Sequence, residues 1–154
     1  MPWPPRKIAT AALLGLLVFA DAAAPAYQAG SHQPFPFAHS QYGCAPTDAL
    51  ALDFYFTSNK SECGKYAEPY LEISIWKKLP KSAPYTIDIA GSEAAGVRCL
   101  RPGVCDRATS GTLHLDQFIE GKRSSGEYEL HFKDGSIEKA KFDAAWCSIR
   151  VICG

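Results

Sequence analysis

Beyond residue 48 the chain alternates between apolar and polar positions in short runs. Leu50, Leu52, Phe54 and Phe56 alternate with Ala51, Asp53 and Tyr55; Leu71, Ile73 and Ile75 alternate with Glu72, Ser74 and Trp76. The same holds for Tyr85, Ile87 and Ile89 against Thr86 and Asp88, and for Leu113 and Leu115 against His114 and Asp116. Tyr128, Leu130 and Phe132 alternate with Glu129 and His131, and Phe142, Ala144 and Trp146 with Asp143 and Ala145. A period of two is the period of a strand with one face packed and one face wet. Glycine, proline and serine separate the runs, and no sustained helical stripe crosses them. The pattern predicts an all-β domain, an antiparallel sandwich or partly closed barrel of about 7–8 strands.

The last third can be read to the level of register. Lys133-Asp134-Gly135 reads as a three-residue hairpin loop with Gly135 in the left-handed conformation. That loop pairs Phe132 with Ser136, Leu130 with Glu138 and Tyr128 with Ala140, and it puts Phe142 on the face of Tyr128. A two-residue loop would send Phe142 to the other face, because a one-residue slip exchanges the faces. For the preceding hairpin, with its loop near residues 121–125, the expectation is Leu115 opposite Leu130 and Leu113 opposite Phe132.

The first 43 residues lack this alternation. Residues 1–26 carry the marks of a secretory signal: Arg6 and Lys7, then an apolar run from Ile8 to Ala20, then small residues that place a cleavage site between Ala22 and Ala26. The run falls short of the about 20 apolar residues a membrane helix needs, so no stable membrane insertion is expected after cleavage. Residues 27–43 hold Pro34, Pro36, Phe35, Phe37 and Tyr42 without a helix or strand period, and read as an extended arm. The organisation expected is therefore signal 1–26, arm 27–43 and domain 44–154, secreted or periplasmic. The chain has 16 basic and 16 acidic residues, and 14 and 15 remain without Arg6, Lys7 and Asp21. That balance gives no electrostatic case for nucleic acid.

Cys44, Cys63, Cys99, Cys105, Cys147 and Cys153 all lie beyond the signal, an even count that reads as a disulfide framework. Arg101-Pro102-Gly103-Val104 suits a tight turn that brings Cys99 to Cys105, and this pair is favoured. Cys44 and Cys63 bracket a strand of about 30 Å at about 3.3 Å per residue, which disfavours joining them. Cys147 and Cys153 bracket another strand-like run, Ser-Ile-Arg-Val-Ile. The four remaining cysteines are therefore expected to cross-pair, either Cys44–Cys147 with Cys63–Cys153 or the reverse. Spacings of C-x₅-C are wrong for a structural zinc site.

In the expected register His114 stands opposite His131 and Asp116 opposite Glu129, a set able to hold a divalent metal. Lys139 beside Glu129 and Lys141 beside Glu127 offer these acids partners instead. His32 and His39 fall in the arm, and Asn59-Lys60-Ser61 is a glycosylation sequon in a surface loop. Tyr55 and Trp76, on outward parity of neighbouring strands, form a candidate aromatic platform for sugar or peptide, or else a second packed face. No nucleophile elbow, zinc-helix motif or phosphate-binding glycine loop is present, and no cofactor is implied. Acids such as Asp53, Asp88, Asp116 and Glu129 are scattered on strands, which leaves a two-carboxylate hydrolase as an alternative.

The stretch Gly126-Glu127-Tyr128-Glu129-Leu130-His131-Phe132-Lys133-Asp134-Gly135, followed by Phe142-Asp143-Ala144 and Cys147, resembles a hairpin recurring in uncharacterised exported bacterial proteins of β-rich type. The resemblance covers about twenty residues. It implies an exported β domain and carries no catalytic residue. The expected function is a non-catalytic exported module that binds an unknown protein or carbohydrate ligand or serves the cell envelope. The alternatives are a small secreted hydrolase and a metal-binding protein using His114 and His131.

Overall fold

The computed structural model describes residues 35–79 and 83–154; the expected signal 1–26, the first part of the expected arm and His32 lie outside them. The described residues form eight strands and no helix: β1 (Phe37–Cys44), β2 (Leu50–Thr57), β3 (Tyr70–Ile75), β4 (Tyr85–Asp88), β5 (Ala94–Arg101), β6 (Val104–Ile119), β7 (Arg123–Phe132) and β8 (Ile137–Trp146).

Seven strands close into a barrel in the order β6-β5-β3-β2-β1-β8-β7, with β7 returning to β6. Closure leaves no free edge in the wall, which protects a β-rich chain from pairing with a second copy. β4 lies outside the ring, on the C-terminal half of β6 (Tyr85 opposite Leu115, Asp88 opposite Thr112), beyond the stretch that meets β5. The ring is a barrel rather than a sandwich, and not wholly antiparallel. β1 runs parallel to β8, with His39 opposite Ala145 and Ser40 opposite Trp146.

The inward residues of each strand fill the ring. Leu52, Phe54 and Phe56 of β2 meet Leu71, Ile73 and Ile75 of β3, Leu113 and Leu115 of β6, Tyr128 and Leu130 of β7, and Phe142 and Ala144 of β8. Phe142 packs edge-on to Phe54 and Phe56, with ring centroids 5.6 and 5.2 Å apart. The barrel is thus a packed core and not a container. Fully burying side chains of this size contributes about 1.5–3 kcal/mol each.

The β7–β8 hairpin has the register read from the sequence. Leu130 faces Glu138, Tyr128 faces Ala140, and the Phe132 amide donates to the Ser136 carbonyl at 3.0 Å. Gly135 sits at φ 81°. The β6–β7 hairpin departs from the expected register. Its turn lies at residues 120–122, so Leu115 faces Gly126 and Leu113 faces Tyr128. The slide is four residues, an even number, so every core residue keeps its face.

Two further departures concern β1 and the tail. Residues 37–43, read as part of an extended arm, belong to a wall strand that runs to Cys44, and Phe35 before them is 1% exposed. Residues 148–152, read as strand-like, form no strand. Three disulfides cross the fold: Cys99–Cys105, Cys44–Cys153 and Cys63–Cys147. The last two fasten the tail to the end of β1 and to the β2–β3 loop. They resolve the open choice in favour of the second cross-pairing. Three such bridges point to an oxidising environment.

Candidate functional site

The register slide separates the expected metal set. His114 lies opposite Glu127, while His131 lies opposite Ser110 and Ile137. His114 takes Thr86 Oγ1 at 2.8 Å on Nδ1 and Asp116 at 3.3 Å on Nε2. Glu129 is held by Lys139 at 2.7 Å and His131 at 3.0 Å, and these two hydrogen bonds lower its pKa, that from Lys139 most. The four residues form two local pairs on a lysine-partnered face. Among the described residues, the His, Cys, Asp and Glu atoms close enough to share a cation belong instead to His39, Cys63 and Cys147, all within 4.8 Å of one another.

Tyr55 and Trp76 do not form a common platform. Tyr55 faces Glu72 across the β2–β3 ladder, and Trp76 lies just past the end of β3. Tyr66, from the loop between β2 and β3, stacks on Tyr55 with centroids 4.1 Å apart and planes 13° from parallel. This loop also carries Asn59, which is exposed.

Under Tyr66 the outer face of the wall holds a polar cluster. Strand pairing sets out two rows: His39, Tyr55 and Glu72, then Gln41, Asp53 and Ser74. The Tyr66 hydroxyl donates to Gln41 Oε1 at 2.7 Å, and the Tyr55 hydroxyl and Ser74 Oγ donate to Glu72 Oε1 at 3.0 and 3.1 Å. Asp53 is 5% exposed, and its Oδ1 has no hydrogen-bond partner. Burial raises its pKa to about 6; Ser74 opposes the rise and Glu72 adds to it. Burial likewise raises the hydroxyl pKa of Tyr55 and Tyr66 and lowers that of His39. An acid so enclosed stores a pH response. Of the other scattered acids, Asp88 lies on the outer strand β4, and Asp116 and Glu129 are already paired.

One end of the barrel presents a different surface. Tyr42 and Trp146 stand at the ends of β1 and β8, edge to face at 5.1 Å. With Glu120 and Gly121 of the β6–β7 turn and residues 147–150 of the tail, they line an open groove of about 430 Å³. The Tyr42 hydroxyl donates to Glu120 Oε1, and burial together with that carboxylate pushes its pKa up to about 12. Arg150 is exposed at the rim and makes no ion pair among the described residues. The sequence concealed this groove, because its lining comes from β1, a turn and an irregular tail. Only the disulfides hint that the tail returns to β1.

The barrel therefore carries two distinct features, a covered polar cluster on its outer wall beneath Tyr66 and an open aromatic groove at one end. Comparison with family models, with curated proteins and with solved structures gave no match to this chain.

Proposed function

We propose that the chain is an exported binding module that takes a carbohydrate at one end of its barrel, in the groove of Tyr42, Trp146, Glu120 and Arg150. The observation that carries this reading is the composition of the groove. Two aromatic rings offer apolar faces to the C–H surface of a sugar. Arg150 offers a planar fork of donors to hydroxyls or to an acidic sugar, and Glu120 offers acceptors. An interior packed with Phe, Leu and Ile side chains supports a site at the barrel end. Binding fits better than turnover, because Glu120 is the one acid lining the groove and Tyr42 already holds it. Export follows from the signal-like residues 1–26 and agrees with the three disulfides.

The test is a titration of the oxidised protein against neutral and uronic-acid oligosaccharides, followed by Trp fluorescence and NMR shifts. Saturable shifts at Tyr42, Trp146 and residues 147–150, weakened about tenfold by Arg150→Ala, support the reading. Shifts elsewhere on the barrel, an Arg150→Ala variant that binds as well as the parent, or release of shorter sugars during the titration would overturn it.

A further inference from the structure

The two long disulfides differ in what faces their sulfurs. Cys44 Sγ lies 3.8 Å from the Ile152 carbonyl oxygen, and Cys153 Sγ lies 3.7 Å from that of Gly43. Carbonyl oxygens beside a sulfur oppose negative charge on it. Cys147 Sγ has the opposite surroundings, with His39 Nδ1 at 3.4 Å and the Tyr66 hydroxyl at 3.7 Å. It is 1% exposed, while its bonded partner Cys63 is open to solvent in the β2–β3 loop.

We propose that Cys63–Cys147 is a thiol–disulfide exchange site for low-molecular-weight thiols, entered at Cys63, with Cys147 as the leaving sulfur. The incoming thiol gives its proton to solvent, and its thiolate forms a bond to Cys63 Sγ. The Cys63–Cys147 bond breaks, and its electron pair departs on Cys147 Sγ. The products are a mixed disulfide on Cys63 and a thiolate at Cys147. The protein disulfide is the oxidant and the small thiol the reductant, so no further redox partner is required. A second thiol that attacks the sulfur of the first releases Cys63 and a small-molecule disulfide.

Exchange is faster when the leaving sulfur is the more stable thiolate. At Cys147 both neighbours can supply that stability. His39 is neutral near pH 7 because burial lowers its pKa, and its Nδ1–H tautomer donates to the departing sulfur. The Tyr66 hydroxyl, which donates to Gln41 in the bridged state, has Cys147 Sγ as its alternative acceptor. Cys99–Cys105 is protected by another route. The two cysteines are direct partners on adjacent strands, so opened sulfurs stay face to face and close again. Opening Cys63–Cys147 frees the β2–β3 loop from the tail and loosens the Tyr66 cover over Gln41 and Asp53.

The experiment exposes the oxidised, folded protein to glutathione under nitrogen, quenches with acid and alkylating reagent, and maps each cysteine by mass. The expected first product carries glutathione on Cys63 and a free, alkylated Cys147, with the other two bridges intact. Tyr66→Phe keeps the ring on Tyr55 and removes only the hydroxyl; His39→Gln removes the imidazole. Each is expected to slow this step on the order of tenfold while leaving exchange at the other bridges unchanged. If His39→Gln does not fold, Tyr66→Phe alone decides. A first adduct on Cys147, Cys44 or Cys153, concerted opening of all three bridges, or an unchanged rate in Tyr66→Phe would overturn the proposal.

Discussion

The Asp53 carboxylate occupies the space that a side chain at Gly43 would take: a β-carbon built on Gly43 stands 1.7 Å from Asp53 Oδ2. The two positions are diagonal neighbours on the outer face of β1 and β2, since Gln41 faces Asp53 and Gly43 faces Ala51. The missing side chain of Gly43 lets the acid lie flat and buried, and burial raises its pKa to about 6 from 3.8. In the unfolded chain the acid ionises at the lower value and in the folded chain at the higher. The folded state is therefore favoured below about pH 3.8 and loses that advantage as pH rises to about 6. The difference is on the order of 3 kcal/mol. Urea unfolding at pH 3 and pH 8, run on the parent and on Asp53→Asn, isolates it. The stability of Asp53→Asn relative to the parent should rise by about that amount between the two pH values. An unchanged difference would show that the carboxylate ionises without cost.

Gly43→Ala tests the same contact by volume. Alanine cannot share the site with Oδ2, so the Asp53 carboxylate must swing outward or the ladder must part. Overpacking of this kind costs about 1–3 kcal/mol. If the carboxylate swings out, Gly43→Ala also flattens the pH dependence between pH 4 and 6, because a solvated Asp53 ionises normally. Denaturation midpoints across that range read both effects.

Arg98 closes the opposite end of the barrel from the groove. It lies on the core parity of β5, facing Leu71, is 4% exposed, and places its guanidinium 4.1 Å from the centroid of the Phe132 ring. Its nitrogens donate to Ser136 Oγ at 2.9 Å, Glu138 at 3.1 Å and Asp134 at 3.1 Å. Asp134 in turn holds the hairpin loop through Ser136, whose amide donates to Oδ1 at 2.9 Å. A lysine ammonium is one compact charge and cannot reach three acceptors while lying flat on a ring. Arg98→Lys should cost about 1–2 kcal/mol, and Arg98→Ala, which leaves the acids unpaired, somewhat more. Thermal unfolding measures both, and amide exchange at Gly135 and Ser136 should rise with them.

The strands that could be read from the sequence were those whose two faces differ in polarity. β2, β3, β7 and β8 bury Phe, Leu and Ile on one parity and carry charge or hydroxyls on the other, so alternation reports them directly. β1 turns Ala38, Ser40 and Tyr42 toward β2 core positions, and β5 turns Ala94, Gly96 and Arg98 inward. Small and polar inward residues erase the contrast that makes a strand visible. The polar cluster was illegible for a second reason. Its cover, Tyr66, comes from a loop with no period, and its depth depends on a contact between Gly43 and Asp53 that no pattern records. Cross-pairing of the long-range cysteines was expected from two strand-like runs, of which β2 is a strand and the tail is not, and which partner took which required the path of the tail. The β6–β7 register was lost because a slide of four preserves every face.

Gly126 is what distinguishes the observed register from that alternative. It is buried between Leu115 and Phe142, its partners on either side, and a β-carbon built on it stands 2.0 Å from the His114 carbonyl oxygen. β6 and β7 can approach this closely at only one alignment, the one that sets a residue without a side chain against Leu115. Gly126→Ala should force the strands apart next to the bulge between Leu115 and Gln117, and cost about 2–4 kcal/mol. The loss should appear as a lower denaturant midpoint with faster amide exchange from Leu113 to Gln117 and from Ser125 to Tyr128. The Phe132–Ser136 hairpin, whose register rests on its own turn, should keep its protection. Equal loosening of both hairpins would mean that Gly126 serves packing alone and that the turn at residues 120–122 sets the register.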